Sequence, residues 1–290
     1  MMKKIAYNLA LAMILLAVGP LSAQPTALYS QTDREIFNEY LTAIEPYREA
    51  PLQTILEKTA LFFLGRPYRA HTLEGSSEEH LTVNLREFDC TTFVESVVAL
   101  SLTTASEVPS FETFLVHLQS LRYRNGTVDG YASRLHYATD WLWENEQRGI
   151  ICNLSALRGG VKEEKTLNFI TAHREAYSRL KEDDAMLDRI AVMEEMVKRR
   201  GGFYYLPKEK IKKMADHIPH MAIILFSTAI EGLDVTHMGF AFRKGGQLTF
   251  LHASSTGKVK IDECSIEEYT RNQRNTTGII VAVINPAYSK

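Results

Sequence analysis

The segment REFDCTTFVESVVAL, residues 86–100, sets an acid and a cysteine, Asp89 and Cys90, directly ahead of an apolar run with helical spacing. Phe93, Val97 and Leu100 form one stripe, with Val94, Val98 and Leu102 beside it, so the helix is expected to be buried against a sheet. Asp89 suits an N-cap, which would put Cys90 in the first helical turn. There the unpaired backbone N–H groups and the helix dipole favour a thiolate, the reactive form of cysteine. The commoner fate of a lone cysteine is to be a packed, inert thiol. A nucleophilic role requires a base.

The C-terminal third supplies one. MAIILFST (221–228) is a continuous apolar run that fits a strand buried on both faces. THMGFAF (236–242) alternates, with His237, Gly239 and Ala241 facing one way and Met238, Phe240 and Phe242 the other. After Arg243-Lys244-Gly245-Gly246 comes LTFLHASS (248–255). A turn at Lys244-Gly245 would set His237 directly opposite His252 on one face. A turn at Gly245-Gly246 keeps both on that face as diagonal neighbours, and only a three-residue loop without a bulge separates them. The small Gly239 and Ala241 on that face are expected to let a helix approach. A thiol hydrolase needs an imidazole to take the thiol proton and a partner to orient that imidazole.

Upstream, Thr32 with Glu35 resembles a capping box and predicts a helix to about Ile44. A second helix is expected over Leu52–Leu64, stopping at Gly65. Residues 65–74 read as loop, and Glu78-Glu79-His80 as solvated loop surface. Ser110 can cap a helix that buries Phe111, Phe114, Leu115 and Leu118, with His117 structural or exposed. Asn125-Gly126 marks a turn. The following VDGYASRLHYATDWLWENEQRGI carries Tyr131, Ser133, Arg134, His136, Tyr137, Asp140 and Trp141, and its second half reads as a helix ending at Gly149. This density fits either an aromatic core face with a charged outer face or a surface for sugars and peptides. Lys162–Arg200 reads as two charged helices, with His173 solvated. Beyond Gly201-Gly202 the chain reads as strands, the last two at Lys258–Asp262 and Gly278–Ile284. Helices first and an antiparallel sheet last make an α+β fold.

The 290 residues carry a net charge of −2, which gives no reason to expect nucleic acid as a partner. Met1-Met2-Lys3-Lys4, an apolar stretch from Ile5 to Leu21 and Ser22-Ala23-Gln24 read as a signal peptide over residues 1–23. No cysteine stands near the cut for a lipid anchor, so the expected location is periplasmic or secreted. The three cysteines are too few for a disulfide-built scaffold; a Cys152–Cys264 bridge stays open, with Cys90 the odd one out. His217, His220, His237, His252 and Cys264 could ligate zinc. However, His217-Ile-Pro-His220 lacks the glutamate and unbroken helix of the metalloprotease pattern, so no metal or cofactor is expected.

Asp-Cys at a helix start, His-Met-Gly-Phe on a strand and Phe-Leu-His-Ala on the next resemble the NlpC-type, papain-like cell-wall cysteine peptidases. More closely, GRPY..HTLE, VNLREFDCTTFVE, YASRLHYATDW and GLDVTHMGFAF resemble their N-acetylmuramoyl-L-alanine amidase-like branch. The resemblance spans nearly all of residues 24–290. It implies one domain, with the nucleophile helix on a C-terminal antiparallel sheet and a large helical insertion at about 104–218. It makes Cys90 the nucleophile, His237 the base and His252 its orienting partner. It gives substrate-binding roles to Tyr68, Asp89, Arg134, His136, Tyr137, Asp140 and Trp141. The implied reaction is hydrolysis of the amide between N-acetylmuramic acid, in its 1,6-anhydro form, and L-alanine in small muropeptides. The rivals are a γ-D-glutamyl-diamino acid endopeptidase and a non-catalytic muropeptide-binding protein. In two places this chain departs from the branch: His71 stands where glycine is usual, and Pro219-His220-Met221 replaces a common Gly-Asp.

Overall fold

The structure, a computed structural model, describes residues 27–285, 287 and 288. The signal peptide reading lies outside them. In chain order the elements are β1 (Ala27–Leu28), α1 (Gln31–Ile44), α2 (Leu52–Phe62), β2 (Leu81–Thr82), α3 (Cys90–Thr104), α4 (Phe111–Arg122) and α5 (Ala138–Gln147). There follow β3 (Ile151–Asn153), β4 (Val161–Glu163), α6 (Phe169–Ala172), α7 (Asp184–Arg199), β5 (Phe203–Pro207) and α8 (Lys208–Met214). The chain closes with β6 (Ile223–Thr228), β7 (Val235–Lys244), β8 (Gln247–Ala253), β9 (Val259–Ile261), α9 (Ile266–Asn272) and β10 (Thr276–Ile284).

The helix α3 forms as its spacing requires. Asp89 caps it, accepting from the Thr92 N–H at 2.7 Å, while the Thr92 hydroxyl reaches back to the Asp89 N–H. Every residue from Thr92 to Thr104 is buried, so α3 is enclosed on all sides. It packs between α2, α4 and the sheet, with Phe93 edge-on to Phe240 of β7 at 5.9 Å. One charge pair crosses this apolar packing: Glu95 of α3 and Arg122 of α4, 2.6 Å apart and both buried. Helix α1 starts two residues earlier than Thr32 and Glu35 suggest. The cap is Ser30 with Asp33, because the buried Asp33 also accepts from Leu85 N–H and Arg86 Nε.

The main sheet runs β4-β5-β10-β6-β7-β8-β9, with β3 added on β10, and the pairings across it are antiparallel. Alternation gives it two apolar faces. Leu225, Met238, Phe240 and Leu251 join the core that holds α3, whereas Ile224, Phe226, Ala241 and Phe250 pack with Ile211 of α8 and Ile266 of α9. The strand-only reading of the C-terminal third is therefore corrected by α8 and α9. Ser265 caps α9 through the Glu268 N–H.

Residues 104–218 are not simply helical. Between Lys162 and Arg200 there is one long helix, α7, preceded by the end of β4, the single turn α6 and irregular chain. Ile190, Met193 and Val197 of α7 make a third core with Tyr131, Tyr137, Leu167 and Ile170. Cys152 and Cys264 do not pair; all three cysteines are free.

Candidate active site

The hairpin of β7 and β8 turns at Gly245-Gly246, with Lys244 paired to Gln247. Both glycines have positive φ (58° and 84°), which suits the tight two-residue turn that twisted strands favour. Of the registers open to the sequence, this is the diagonal one. His252 therefore faces Gly239, and His237 lies further along the same face. A Cβ on Gly239 would sit 2.8 Å from His252 Cβ and 2.7 Å from the Leu251 carbonyl oxygen. Glycine there admits the second histidine rather than a helix, and α3 lies on the opposite face. With that space open the two rings meet, His237 Nε2 being 2.6 Å from His252 Nδ1 at an interplanar angle of 84°.

Cys90 stands at the very start of α3, on the other face of the sheet from this pair. The β7–β8 ladder ends at the Phe240–Leu251 pair, short of Met238, and the backbone of Met238 is near enough to Cys90 to pull its thiol down. Burial, and then the negative charge of Asp89, push the thiol up to about 11, against the Met238 and Thr91 hydrogen bonds that pull it down. The expected thiolate is corrected accordingly: the resting sulfur is protonated, because desolvation outweighs the helix start. His237 is lowered to about 3 by burial and then by His252, and His252 to about 4 by burial, so both rings are neutral at rest.

Beside the rings lies a cavity of about 320 Å³ whose wall includes Thr236, Ser254, Ser255, Thr256 and Gln273. Tyr269 of α9 closes one side, its ring 6.3 Å from His237 and 6.2 Å from His252. Asp262 binds His252 Nε2 at 3.2 Å. Sequence reasoning missed Tyr269 and Asp262. A Ser-x-x-Glu start at Ser265 is a readable signal for α9, but nothing in the sequence ties either residue to the histidines.

Of the residues expected to bind substrate, Tyr68 lies near the thiol: burial raises its hydroxyl and the charges of Cys90 and Asp89 add to the effect. Asp89 is present too, with Oδ1 engaged in capping α3. His136 is half-buried and bonds the Tyr131 carbonyl through Nε2 at 2.8 Å. The rest of that motif is turned inward and corrects the expectation. Tyr137 is buried with its hydroxyl on Glu194, Asp140 is enclosed by Arg124 and Arg200, and Trp141 is a core residue. Arg134 forks onto Glu79 at 2.9 and 2.7 Å and reaches Glu74 at 2.7 Å. Glu79 is consequently buried rather than solvated, with a side chain 1% exposed. Its carboxyl, raised by burial, ends below its usual range because of Arg134.

These inward contacts position the site indirectly. Arg134 and Arg179 tie down residues 73–79, the loop between Tyr68 and α3. Thr139 at the start of α5 donates its N–H and hydroxyl to the buried Asp234, both at 2.7 Å, three residues before His237. The insertion therefore clamps two segments that lead into the site. The departures noted in the sequence have a backbone counterpart, since His71 (φ 62°) and Met221 (φ 61°) both adopt the left-handed conformation that favours glycine. Of the zinc candidates, His237 and His252 meet each other, whereas His220 is held elsewhere, by Glu57 at 2.9 Å and by the Arg243 N–H. Among the described residues no group of three or more His, Cys, Asp or Glu could hold a metal ion.

Helices packed against an antiparallel sheet define a mixed α/β protein, with a thiol at one helix start and paired imidazoles on the β7–β8 hairpin. The family model described as AmiA-like, N-acetylmuramoyl-L-alanine amidase-like, matches residues 58–279, and the chain belongs to that family. Among solved structures it is similar to an N-acetylmuramoyl-L-alanine amidase from Bacteroides uniformis, at 33% identity and TM-score 0.75, covering 79% of this chain and 98% of that one. A Bacteroides fragilis protein provisionally named a xylanase is similar at 36% identity and TM-score 0.72, over 78% of this chain and 99% of that one. A Legionella pneumophila protein shares the fold at 22% identity and TM-score 0.67, over 88% and 95% of the two chains. No curated protein matches the chain.

Proposed function

We propose that this protein is a cysteine amidase of the NlpC-type, papain-like kind. It cleaves the amide between the lactyl group of N-acetylmuramic acid and L-alanine in small anhydro-muropeptides. The observation that carries this reading is the contact between the His237 and His252 rings, with Cys90 at the helix start near the Met238 peptide that follows His237, in a chain of the amidase-like family. Cys90 gives its proton to His237 and attacks the amide carbonyl, while backbone N–H groups at the start of α3 face the developing oxyanion. His237 returns the proton to the departing amine, leaving a thioester on Cys90. Water, deprotonated by His237, then releases the acid and restores the thiol.

The hydroxyl-bearing wall beside the histidines suits a glycan with a short peptide. Glycoside cleavage of the xylanase type fits less well, because it needs two carboxyl groups flanking the bond. The carboxyl groups near the histidines and thiol are Asp262, bound to His252 and Lys260, and Asp89, engaged in capping. The basic and apolar N-terminal residues support action outside the cytoplasm on wall fragments. No helix among the described residues is long and apolar enough to cross a membrane.

The test is product analysis on a disaccharide-anhydro-tetrapeptide. A free disaccharide and a peptide beginning with L-alanine are expected. Cleavage after γ-D-glutamate would replace this reading with the endopeptidase, and recovery of intact ligand from folded protein would reject both.

A further inference from the structure

Asp262 follows β9 directly and takes no part in the reaction just described. Lys260 pairs with His252 across the β8–β9 ladder, and Asp262, two residues on, lies on the same face. Its Oδ2 is 3.2 Å from His252 Nε2 and 2.9 Å from Lys260 Nζ, and its Oδ1 accepts the Cys264 N–H at 3.1 Å. Burial pushes this carboxyl up, but Lys260, the Cys264 N–H and His252 together hold it below the usual range, so it is ionised. An ionised carboxylate only accepts hydrogen bonds.

A fixed acceptor at one end determines the proton positions along the chain. His252 must carry its proton on Nε2 to meet Asp262, which leaves Nδ1 bare. That bare nitrogen is 2.6 Å from His237 Nε2, a distance that requires a proton between them, so His237 carries its proton on Nε2. His237 Nδ1 is then the free base. It is the ring nitrogen nearer the residue's own backbone, and the next residue, Met238, is the one whose backbone acts on the thiol. Among the other groups facing the pair, Lys260 is a donor, and Tyr269, raised to about 12 chiefly by burial, keeps its proton. Neither replaces the carboxylate.

We infer that Asp262 is a positioning residue whose carboxylate orients both imidazoles, so that His237 presents a bare Nδ1 to Cys90. The opposite order, with His252 Nδ1–H donating to His237 Nε2, would place a proton on His237 Nδ1 and leave the thiol without an acceptor. In the forward step the S–H bond breaks and an Nδ1–H bond forms on His237. The thiolate and imidazolium are created together, and Asp262 keeps its charge.

This inference rests on reading Cys90 and His237 as nucleophile and base, but its test needs no substrate. In the full chain labelled with ¹⁵N-histidine, NMR at pH 7 should find both His237 and His252 as Nε2–H tautomers. Asp262→Asn, which can donate to His252 Nε2, should shift His252 to Nδ1–H. It should also slow iodoacetamide alkylation of Cys90, followed by peptide mass mapping, by about 100-fold or more, the range of a lost general base. Asp262→Glu should restore part of the rate. An Nδ1–H tautomer at His252 in the unaltered protein would overturn the inference without any variant. A folded Asp262→Asn protein with unchanged tautomers, or with unchanged alkylation, would overturn it as well. The expected tautomers and alkylation in a protein that leaves muropeptide intact would support the role of Asp262 and count against the amidase reading.

Discussion

At the residue scale, the site works through groups kept neutral until they are used. Cys90 is raised to about 11 and His237 lowered to about 3, each mainly by burial, so a resting thiolate–imidazolium pair is disfavoured. In the proposed mechanism the ion pair forms together with attack on the substrate, which makes the base indispensable. His237→Gln should lower kcat for amide hydrolysis by about 10²–10⁴-fold with little change in thermal unfolding, measured by product release and calorimetry side by side. The helix start at Cys90 and the shared face of the two histidines could be read from the chain because a cysteine behind a helix cap and two histidines in one hairpin are local patterns. Asp262 and Tyr269 could not, since each reaches the rings only after β9 and α9 have folded back onto the hairpin.

At the element scale, the hairpin illustrates a choice that sequence pattern left open. Alternation put His237 and His252 on one face under either two-residue turn, but could not say whether they lie opposite or diagonal. The Gly245-Gly246 turn and the close approach at Gly239 settle on the diagonal. Gly239→Ala should therefore do two things. Overpacking against His252 and the Leu251 carbonyl should cost about 1–3 kcal/mol in urea unfolding. Activity should fall by more than that stability loss explains, because the His252 ring must shift. Unchanged kcat in a folded Gly239→Ala protein would contradict this placement. The motif from Tyr131 to Trp141 shows the opposite error. Its polar groups resemble a binding surface in the sequence, yet Tyr137 and Asp140 find partners on α7, at Arg124 and at Arg200. A helix pattern reports which residues share a face and not what covers that face.

At the scale of the whole molecule, buried neutral histidines couple stability to pH. His136 and His237 are lowered to about 3 and His252 to about 4 from the usual 6.5, with burial the largest cause at each. A folded-state value below the unfolded one means the stabilisation is complete above pH 6.5 and is lost as pH falls towards about 3. Glu79, also lowered in the fold, adds a loss at still lower pH, as protonation weakens its bond to Arg134. The melting temperature should thus be flat from pH 8 to about 7 and decline below pH 6.5. In His136→Gln, which has one fewer group to charge, the decline between pH 6.5 and 5 should be shallower. An equal slope in both proteins, measured by calorimetry at constant ionic strength, would rule out a protonation cost at His136.

The chain by itself determined the helix behind Asp89, the alternating strands and the shared face of the two histidines. Each of these follows from spacing between near neighbours, and burial of an apolar stripe is written in that spacing. Tertiary structure alone decided that α3 packs on the face away from the histidines. It alone turned Tyr137 and Asp140 inward, made Arg134 and Thr139 anchors for residues 73–79 and Asp234, and brought Asp262 to His252. Those outcomes depend on contacts between segments distant in the chain, where burial and the pairing of charges outweigh any local preference.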